Sequence, residues 1–371
     1  MNIVCDREQL WSAFQTAAVV APPRTPRAIL KNVRMDVDDR GTILVATDME
    51  VGIRIDVSGI EMTAGGSVLL PVAQLGSILR ESVDQKLRIE GGAQEILVQG
   101  ERSEFRLPTQ NPDEFPAVAT FSEESYYELS SRLFRELIRR TLFATDTESS
   151  RYALGGVLLE FEDERITAVA TDGRRLAKME GPVRKVGAGK LGEGSTIVPG
   201  RAMQLMERAI TEADAAVQVA ARPNDILVRS PRATIYSRLV EGRFPKWREV
   251  LPRRQDSARV QLAVGPLYSA IRQAAVVASD ESRGVNLEFR EGTLLLKGST
   301  AEVGQSRVEL PIPYVGPEVK VVLNHRFLTD FLRVLPSEQA VTMDIKDGES
   351  AVVFVTDDSY AYVVMPLSRE S

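Results

Sequence analysis

Six stretches of the chain carry apolar residues at helical spacing, and the segments between them alternate apolar with polar positions as strands do. The first helical stretch, residues 7–20, gathers Leu10, Trp11, Phe14, Ala17 and Ala18 on one face. Residues 131–144 repeat this with Phe134, Leu137, Ile138 and Leu142, and residues 265–278 with Leu267, Ile271, Ala274 and Ala275. The other three stretches are 71–80, 199–208 and 324–333, which begin with Pro71, Pro199 and Asn324. Proline in a first turn and asparagine at a cap both suit a helix start. Each helix of the first set precedes a predicted strand pair: 29–37 with 42–47, 156–161 with 165–171, and 285–289 with 293–297. Each helix of the second set precedes further alternating runs, ending at Phe105-Arg106-Leu107, Tyr236-Ser237-Arg238-Leu239 and Tyr362-Val363-Val364-Met365.

The order helix, strands, helix, strands therefore occurs three times in units of about 125 residues, far longer than solenoid or propeller repeats. One turn ties the copies together. Ala170-Thr171-Asp172-Gly173-Arg174-Arg175-Leu176 reads as strand, glycine turn and strand. Ala46-Thr47-Asp48-Met49-Glu50-Val51-Gly52 and Gly298-Ser299-Thr300-Ala301-Glu302-Val303-Gly304 are weaker versions of it. The pattern predicts three α+β domains related by duplication, over 1–120, 126–252 and 257–371, each with its own core. Proline and polar residues collect at 116–125 and 251–257, as linkers require.

Composition narrows the function. With 43% hydrophobic and 26% charged residues in 371, the chain has enough apolar material for several cores. Its apolar runs fall well short of the eighteen or so residues of a membrane span. Asp6 and Arg7 stand where a secretion signal would be apolar, so a cytoplasmic location is expected. The single cysteine, Cys5, agrees with a reducing compartment and reads as a small core residue. A net charge of −6 argues against holding DNA by bulk electrostatics, though not against a local basic surface.

Catalytic equipment is not visible. The one histidine, His325, reads as a surface residue near a helix start, without a metal cluster or triad. Gly187-Ala188-Gly189-Lys190-Leu191-Gly192 lacks the earlier glycine of a phosphate loop and has Leu191 where Ser or Thr would bind Mg²⁺. No cofactor, metal site or catalytic residue is assigned, and a non-catalytic protein is expected. The helices are more informative. Arg132, Arg135 and Arg139 lie opposite the Phe134–Ile138 side, with Arg140 beside them. Arg80, Arg201, Arg208, Arg272, Arg326 and Arg333 add to the same bias, which suggests a shared basic surface for a polyanion. The last run, Tyr362-Val363-Val364-Met365-Pro366-Leu367, reads as a final core strand or as part of a binding groove.

These residues also carry a resemblance. Arg151-Tyr152-Ala153-Leu154-Gly155-Gly156, Thr171-Asp172-Gly173-Arg174-Arg175-Leu176, Gly242-Arg243-Phe244-Pro245 with Val250-Leu251-Pro252, Ser282-Arg283-Gly284-Val285 and Tyr362-Val363-Val364-Met365-Pro366 stand in an order that resembles, end to end, the bacterial β sliding clamps, processivity subunits of DNA polymerase III. The resemblance implies a head-to-tail homodimeric ring of six domains around double-stranded DNA, with helices on the inner face and antiparallel sheets on the outer face. Such a ring holds DNA by topology, so its arginines need only weak, sequence-independent contacts. It also implies a pocket between the second and third domains. This takes short linear motifs from the polymerase III alpha and clamp-loader delta subunits, other polymerases and repair proteins.

Carried over by position, that pocket comprises Leu154, Thr171, Gly173, Arg174, Arg175, Leu176, Pro245, Val250, Asn324, Phe327, Val363, Val364, Met365, Pro366 and Leu367. An apolar lining beside Arg175 would suit leucine or phenylalanine anchors on an acidic or polar motif. Arg174, Glu249, Glu349 and Ser368 depart from residues common in the family, which alters the rim charge and keeps the anchor region. For DNA, the resemblance points to Arg24, Arg151 and Tyr152, and the helix pattern to Arg80, Arg132, Arg135, Arg139 and Arg201. At the dimer seam it sets Phe105 and Leu107 against Val276 and Val277, a pair that buries little area. The rival readings are a DNA-associated structural or regulatory protein of the same fold that does not encircle DNA, and an enzyme whose site the sequence does not reveal.

Overall fold

Asp6 starts the first helix by accepting a hydrogen bond from Gln9 N at 2.9 Å, satisfying one of the donors that a helix start leaves open. Helix α1 (Arg7–Ala18) buries Leu10, Ala13, Phe14 and Ala17, with Trp11 and Ala18 half-buried beside that face. Then come α2 (Val72–Glu81), α3 (Ser131–Thr141), α4 (Gly200–Ala209), the single turn α5 (Trp247–Val250), α6 (Val264–Ala274) and α7 (His325–Arg333). The structure, a computed structural model, describes residues 1–146, 152–162, 164–189, 195–251, 257–278, 283–300 and 302–367.

Several element ends differ from the sequence pattern. Pro71 and Pro199 stand at N-caps rather than in first turns, because each still closes a strand, Gly66–Pro71 and Thr196–Pro199. Their fixed φ serves both the strand end and the cap. Asn324 caps as expected, its Oδ1 accepting from Arg326 N at 2.9 Å. α3 and α6 pass into 3-10 turns at Leu142–Ala144 and Ala275–Val277, so the apolar periodicity outruns the α-helix. Residues 29–31, expected in a strand, belong to the 3-10 turn Ala28–Lys31, where Asn32 Nδ2 donates to Ile29 O at 3.0 Å.

The chain folds as two compact units, 1–135 with 183–239 and 136–182 with 240–371. In the first, an antiparallel sheet runs in the order Ile60–Ala64, Asn2–Asp6, Lys86–Gly91, Glu95–Gln99, Glu104–Pro108. A second sheet crosses from one repeat to the next: Ala233–Arg238 pairs with Val51–Val57, with Tyr236 opposite Gly52. The other unit repeats that step, Tyr360–Val364 pairing with Arg175–Pro182 and Val363 facing Leu176. It also holds a sheet in the order Gly304–Pro311, Thr293–Thr300, Gly284–Arg290, Val319–Asn324. The middle repeat thus gives strands to both units. Pairing a strand edge with the next repeat removes an exposed row of N–H and C=O groups, which is why the compact units do not follow the repeats.

The second unit is built around aromatic rings. Phe331 of α7 stacks on Tyr362 at 4.6 Å and packs against Phe354 at 5.1 Å and Tyr360 at 5.6 Å, all four buried. The Tyr362 hydroxyl donates to Phe327 O at 2.9 Å. Burial pushes its pKa up, so it stays neutral. Phe331→Ala should therefore destabilise the protein by about 3–5 kcal/mol, read as a lower urea midpoint. An unchanged midpoint would mean that this cluster is not the core of the unit.

Candidate peptide-binding site

The turn between strands Arg165–Thr171 and Arg175–Pro182 is fixed by its own side chains. Thr171 Oγ1 donates to Arg175 O at 2.6 Å and accepts from Gly173 N at 3.1 Å. Asp172 Oδ1 accepts from Arg174 N at 2.9 Å and Arg175 N at 3.0 Å. Gly173 has φ +87°, the left-handed region that glycine enters without strain. This geometry leaves Arg174 exposed and points Arg175 inward.

Arg175 is a brace. Its Nε donates to Asp172 Oδ2 at 3.0 Å, Nη1 to Asp330 Oδ2 at 2.8 Å and Nη2 to Phe143 O at 2.7 Å. The guanidinium lies over the Phe327 ring at 4.5 Å and the Phe143 ring at 5.5 Å, with the side chain only 10% exposed. Burial works against its charge, but the hydrogen bond to Asp330 and the charge of Asp172 favour it, and its pKa lies above the ordinary arginine value. The expectation that Arg175 would favour an acidic motif is therefore corrected: its donors are already engaged within the protein. Asp172, Asp330 and Phe143 were not among the site residues read from the sequence. Asp172 was visible as the aspartate of the repeated turn; the other two meet Arg175 only through tertiary packing.

Beside the brace the expected residues divide into floor and rim. Leu154, Thr171, Leu176, Val363 and Val364 are buried, as strand and turn residues beneath the surface. Gly173, Arg174, Pro245, Val250 and Met365 are exposed, Val250 and Met365 each at 44%. Phe327, Pro366 and Leu367 are half-buried, and Asn324 is buried with its side chain committed to the α7 cap. The tail runs from Met365, whose N donates to Arg174 O at 2.9 Å, to Leu367, whose N donates to Val322 O at 2.9 Å. The final run is both core strand and surface groove. A cavity of about 1060 Å³ lies along this tail, with Glu318, Lys320, Val322, Asp347 and Glu349 among its lining. Only Glu349 of these had been singled out; Ser368 lies outside the described residues.

The first unit holds a twin of the turn. Thr47 Oγ1 donates to Val51 O at 2.8 Å, Asp48 Oδ1 accepts from Glu50 N and Val51 N at 3.0 and 2.8 Å, and Met49 takes φ +82°. Arg238 N donates to Glu50 O at 2.9 Å, as Met365 N does to Arg174 O. Here the positions are filled differently. A Cβ on Gly52, which stands where Leu176 does, would meet Val118 Cγ1 at 2.7 Å. Arg238, in the place of Met365, pairs with Glu50 at 3.5 Å. In the third copy, Thr300 Oγ1 instead donates to Val277 O at 2.8 Å.

The arginines read as DNA contacts differ in availability. Arg24 is exposed. Arg132 is open to solvent with Asp214 at 3.9 Å, Arg80 pairs with Glu81 at 2.8 Å, and Arg139 with Glu136 at 2.7 Å. Arg135 is half-buried. Arg140, expected beside them, turns inward: it is buried, bound to Glu136 and Asp358 and set against the Tyr360 ring at 5.4 Å. Arg201 binds Asp48 and the carbonyls of Val19 and Val20, closing the end of α1. Arg151 and the Tyr152 side chain lie outside the described residues. At the expected seam, Phe105 is 38% and Val276 76% exposed, while Val277 is half-buried and Leu107 nearly buried. Among the described residues no group of three or more His, Cys, Asp or Glu is placed to hold a metal ion, and no helix is long and apolar enough to cross a membrane.

Comparison with known proteins identifies the fold and the family. A β sliding clamp from Pseudomonas aeruginosa is 30% identical over 374 residues, covering 99% of this chain and 100% of the relative. That of Escherichia coli K12 is 29% identical over 372 residues, with the same coverage. The crystal structure of the Pseudomonas aeruginosa DNA polymerase III subunit beta matches with a TM-score of 0.88 at 28% identity, over 99% of this chain and 100% of that one. A sliding clamp from the same organism bound to griselimycin also matches at 0.88 and 28%, over 99% of both chains. The N-terminal, central and C-terminal domain profiles of the DNA polymerase III beta subunit match residues 1–119, 128–246 and 248–368 in that order. The chain carries three clamp domains and belongs to the DNA polymerase III beta subunit family.

Proposed function

We propose that this protein is a non-catalytic, cytoplasmic DNA sliding clamp, with clamp domains over 1–120, 126–252 and 257–371. Two copies close head to tail around duplex DNA and tether the polymerase, clamp loader and repair proteins. The observation that carries the docking role is half-exposed Met365 on the groove along the tail, its N bonded to Arg174 O of the turn that Arg175 braces, with buried Leu176 and Val363 paired beneath; Leu154, Val364 and Val250 join them by family position. An exposed methionine on a groove over buried aliphatic strands suits short linear motifs with leucine or phenylalanine anchors. Arg24, Arg80, Arg132, Arg135 and Arg139 are the better DNA contacts, with Arg151 and Tyr152 by family position. Arg80 and Arg139 each give up one acidic partner to make such a contact, and Arg201 contributes less because it holds two backbone carbonyls besides Asp48.

The seam is supported by two sheet edges. Glu104–Pro108 and Gly304–Pro311 each end a sheet, and each edge offers a row of unpaired backbone groups. Phe105 and Val276 supply exposed apolar surface near them. A heterologous contact of this kind closes into a ring when its rotation permits.

Three measurements test these assignments. Met365→Ala should weaken binding of a polymerase-derived peptide at least tenfold, about 1.4 kcal/mol, with the oligomer intact by light scattering. Unchanged affinity would move the site elsewhere. Deleting the tail from Tyr362 would be the wrong variant, since Tyr362, Val363 and Val364 are core residues. Val276→Asp should give monomers by light scattering, and persistent dimers would refute the seam. Loaded on a nicked circle by a clamp loader with ATP, the protein should survive a high-salt wash and leave when the circle is cut. Loss in salt alone would favour the non-encircling reading.

A further inference from the structure

Resting on the peptide-docking reading above, we infer that the partner segment carries a cationic side chain beyond its apolar anchor, seated against Asp347 and Glu349 in the groove along the tail. The groove of about 1060 Å³ continues from Met365 past Pro366 and Leu367 to the strand Val319–Asn324. Another wall is the loop from Asp347 to Ser350, which its own side chains tie together. Asp347 Oδ1 accepts from Glu349 N at 2.9 Å and Ser350 N at 2.6 Å, and Oδ2 accepts from Ser350 Oγ at 2.9 Å. A Cβ on Gly348 would sit 2.5 Å from Lys320 O, so glycine lets the loop lie directly on the strand.

The charges in this groove are unequal. Lys320 is engaged by Glu318 at 3.2 Å, and Glu318 also takes Arg290 at 3.5 Å. The lining holds three carboxylates, Glu318, Asp347 and Glu349, against one cation, Lys320, and exposed Lys346 next to Asp347 offsets only part of that surplus. The hydrogen bonds from Ser350 and Glu349 hold the Asp347 carboxyl below the ordinary aspartate range, so it remains an anion at neutral pH. At the other end of the tail stands exposed Arg174, whose carbonyl binds Met365 N. Met365 therefore lies between a basic end and an acidic one. A peptide anchored on Met365 with a lysine or arginine toward Glu349 meets complementary charge; one with glutamate there meets repulsion. Arg175 does not offset this, since it is buried and engaged.

Exposed ion pairs of middling strength change an equilibrium by about threefold each, so two carboxylates give a preference of about tenfold at low salt. The test uses the full chain and synthetic peptides that share one Leu-Phe anchor. They carry Lys-Lys or Glu-Glu on either the amino or the carboxyl side of the anchor, and fluorescence anisotropy gives Kd. For one of the two sides, the lysine peptide should bind about tenfold tighter than its glutamate counterpart. The difference should shrink in about 0.5 M salt, and Glu349→Lys should abolish it. Equal affinities on both sides, with binding still lost in Met365→Ala, would overturn the charge inference and leave the pocket standing. Binding that survives Met365→Ala would overturn the pocket itself and this inference with it.

Discussion

The candidate site depends on one buried cation. Arg175 ties the Asp172 turn, Asp330 of α7 and the carbonyl of Phe143 through three hydrogen bonds between 2.7 and 3.0 Å. A guanidinium suits this role because its planar fork serves several acceptors at fixed angles while its faces lie on aromatic rings. A lysine has the charge without that geometry. Removing the cation would leave Asp172 and Asp330, two half-buried carboxylates, without the cation they share. The apolar residues beside it depend on this arrangement because Leu176 follows Arg175 on the strand that leaves the turn and pairs with Val363 of Tyr360–Val364.

Duplication supplied the turn, and divergence decided what each copy does. Both copies keep the threonine and aspartate that lock the backbone, which is why Met49 can stand in a left-handed conformation that glycine takes in the other copy. What differs is the filling. In the first unit Val118 packs over Gly52, and the Glu50–Arg238 pair covers the strand end. In the second, Leu176, Arg174 and Met365 occupy those places, and Met365 is left half-exposed. The opening thus arises from small changes on an unchanged backbone frame.

Much of this was legible in the residues. The helices, the threefold repeat and the Thr-Asp turn follow from periodicity and local hydrogen bonding, which depend on near neighbours in sequence. Element ends were less so: Pro71 and Pro199 serve strand and helix at once, and no spacing rule separates those roles. The burial of Arg140 and the commitment of Arg175 and Arg201 were hidden because their partners lie 218, 155 and 153 residues away. On a sequence an inward arginine and a solvent-facing one look alike. The split of the middle repeat between two units was hidden for the same reason, since it rests on pairings such as Tyr236 with Gly52.

The division between a braced floor and a free rim bears on how a small molecule would act here. The floor residues are fixed by core packing, and changing them disturbs the strands on which the fold depends. Arg174 and Glu349 bear no such constraint and can vary without cost to the frame. A compound that fills only the floor would therefore be broad in its reach among related proteins and slow to lose potency through mutation. One that gains its affinity from the rim would be selective for this protein, and a single exposed substitution would suffice to escape it.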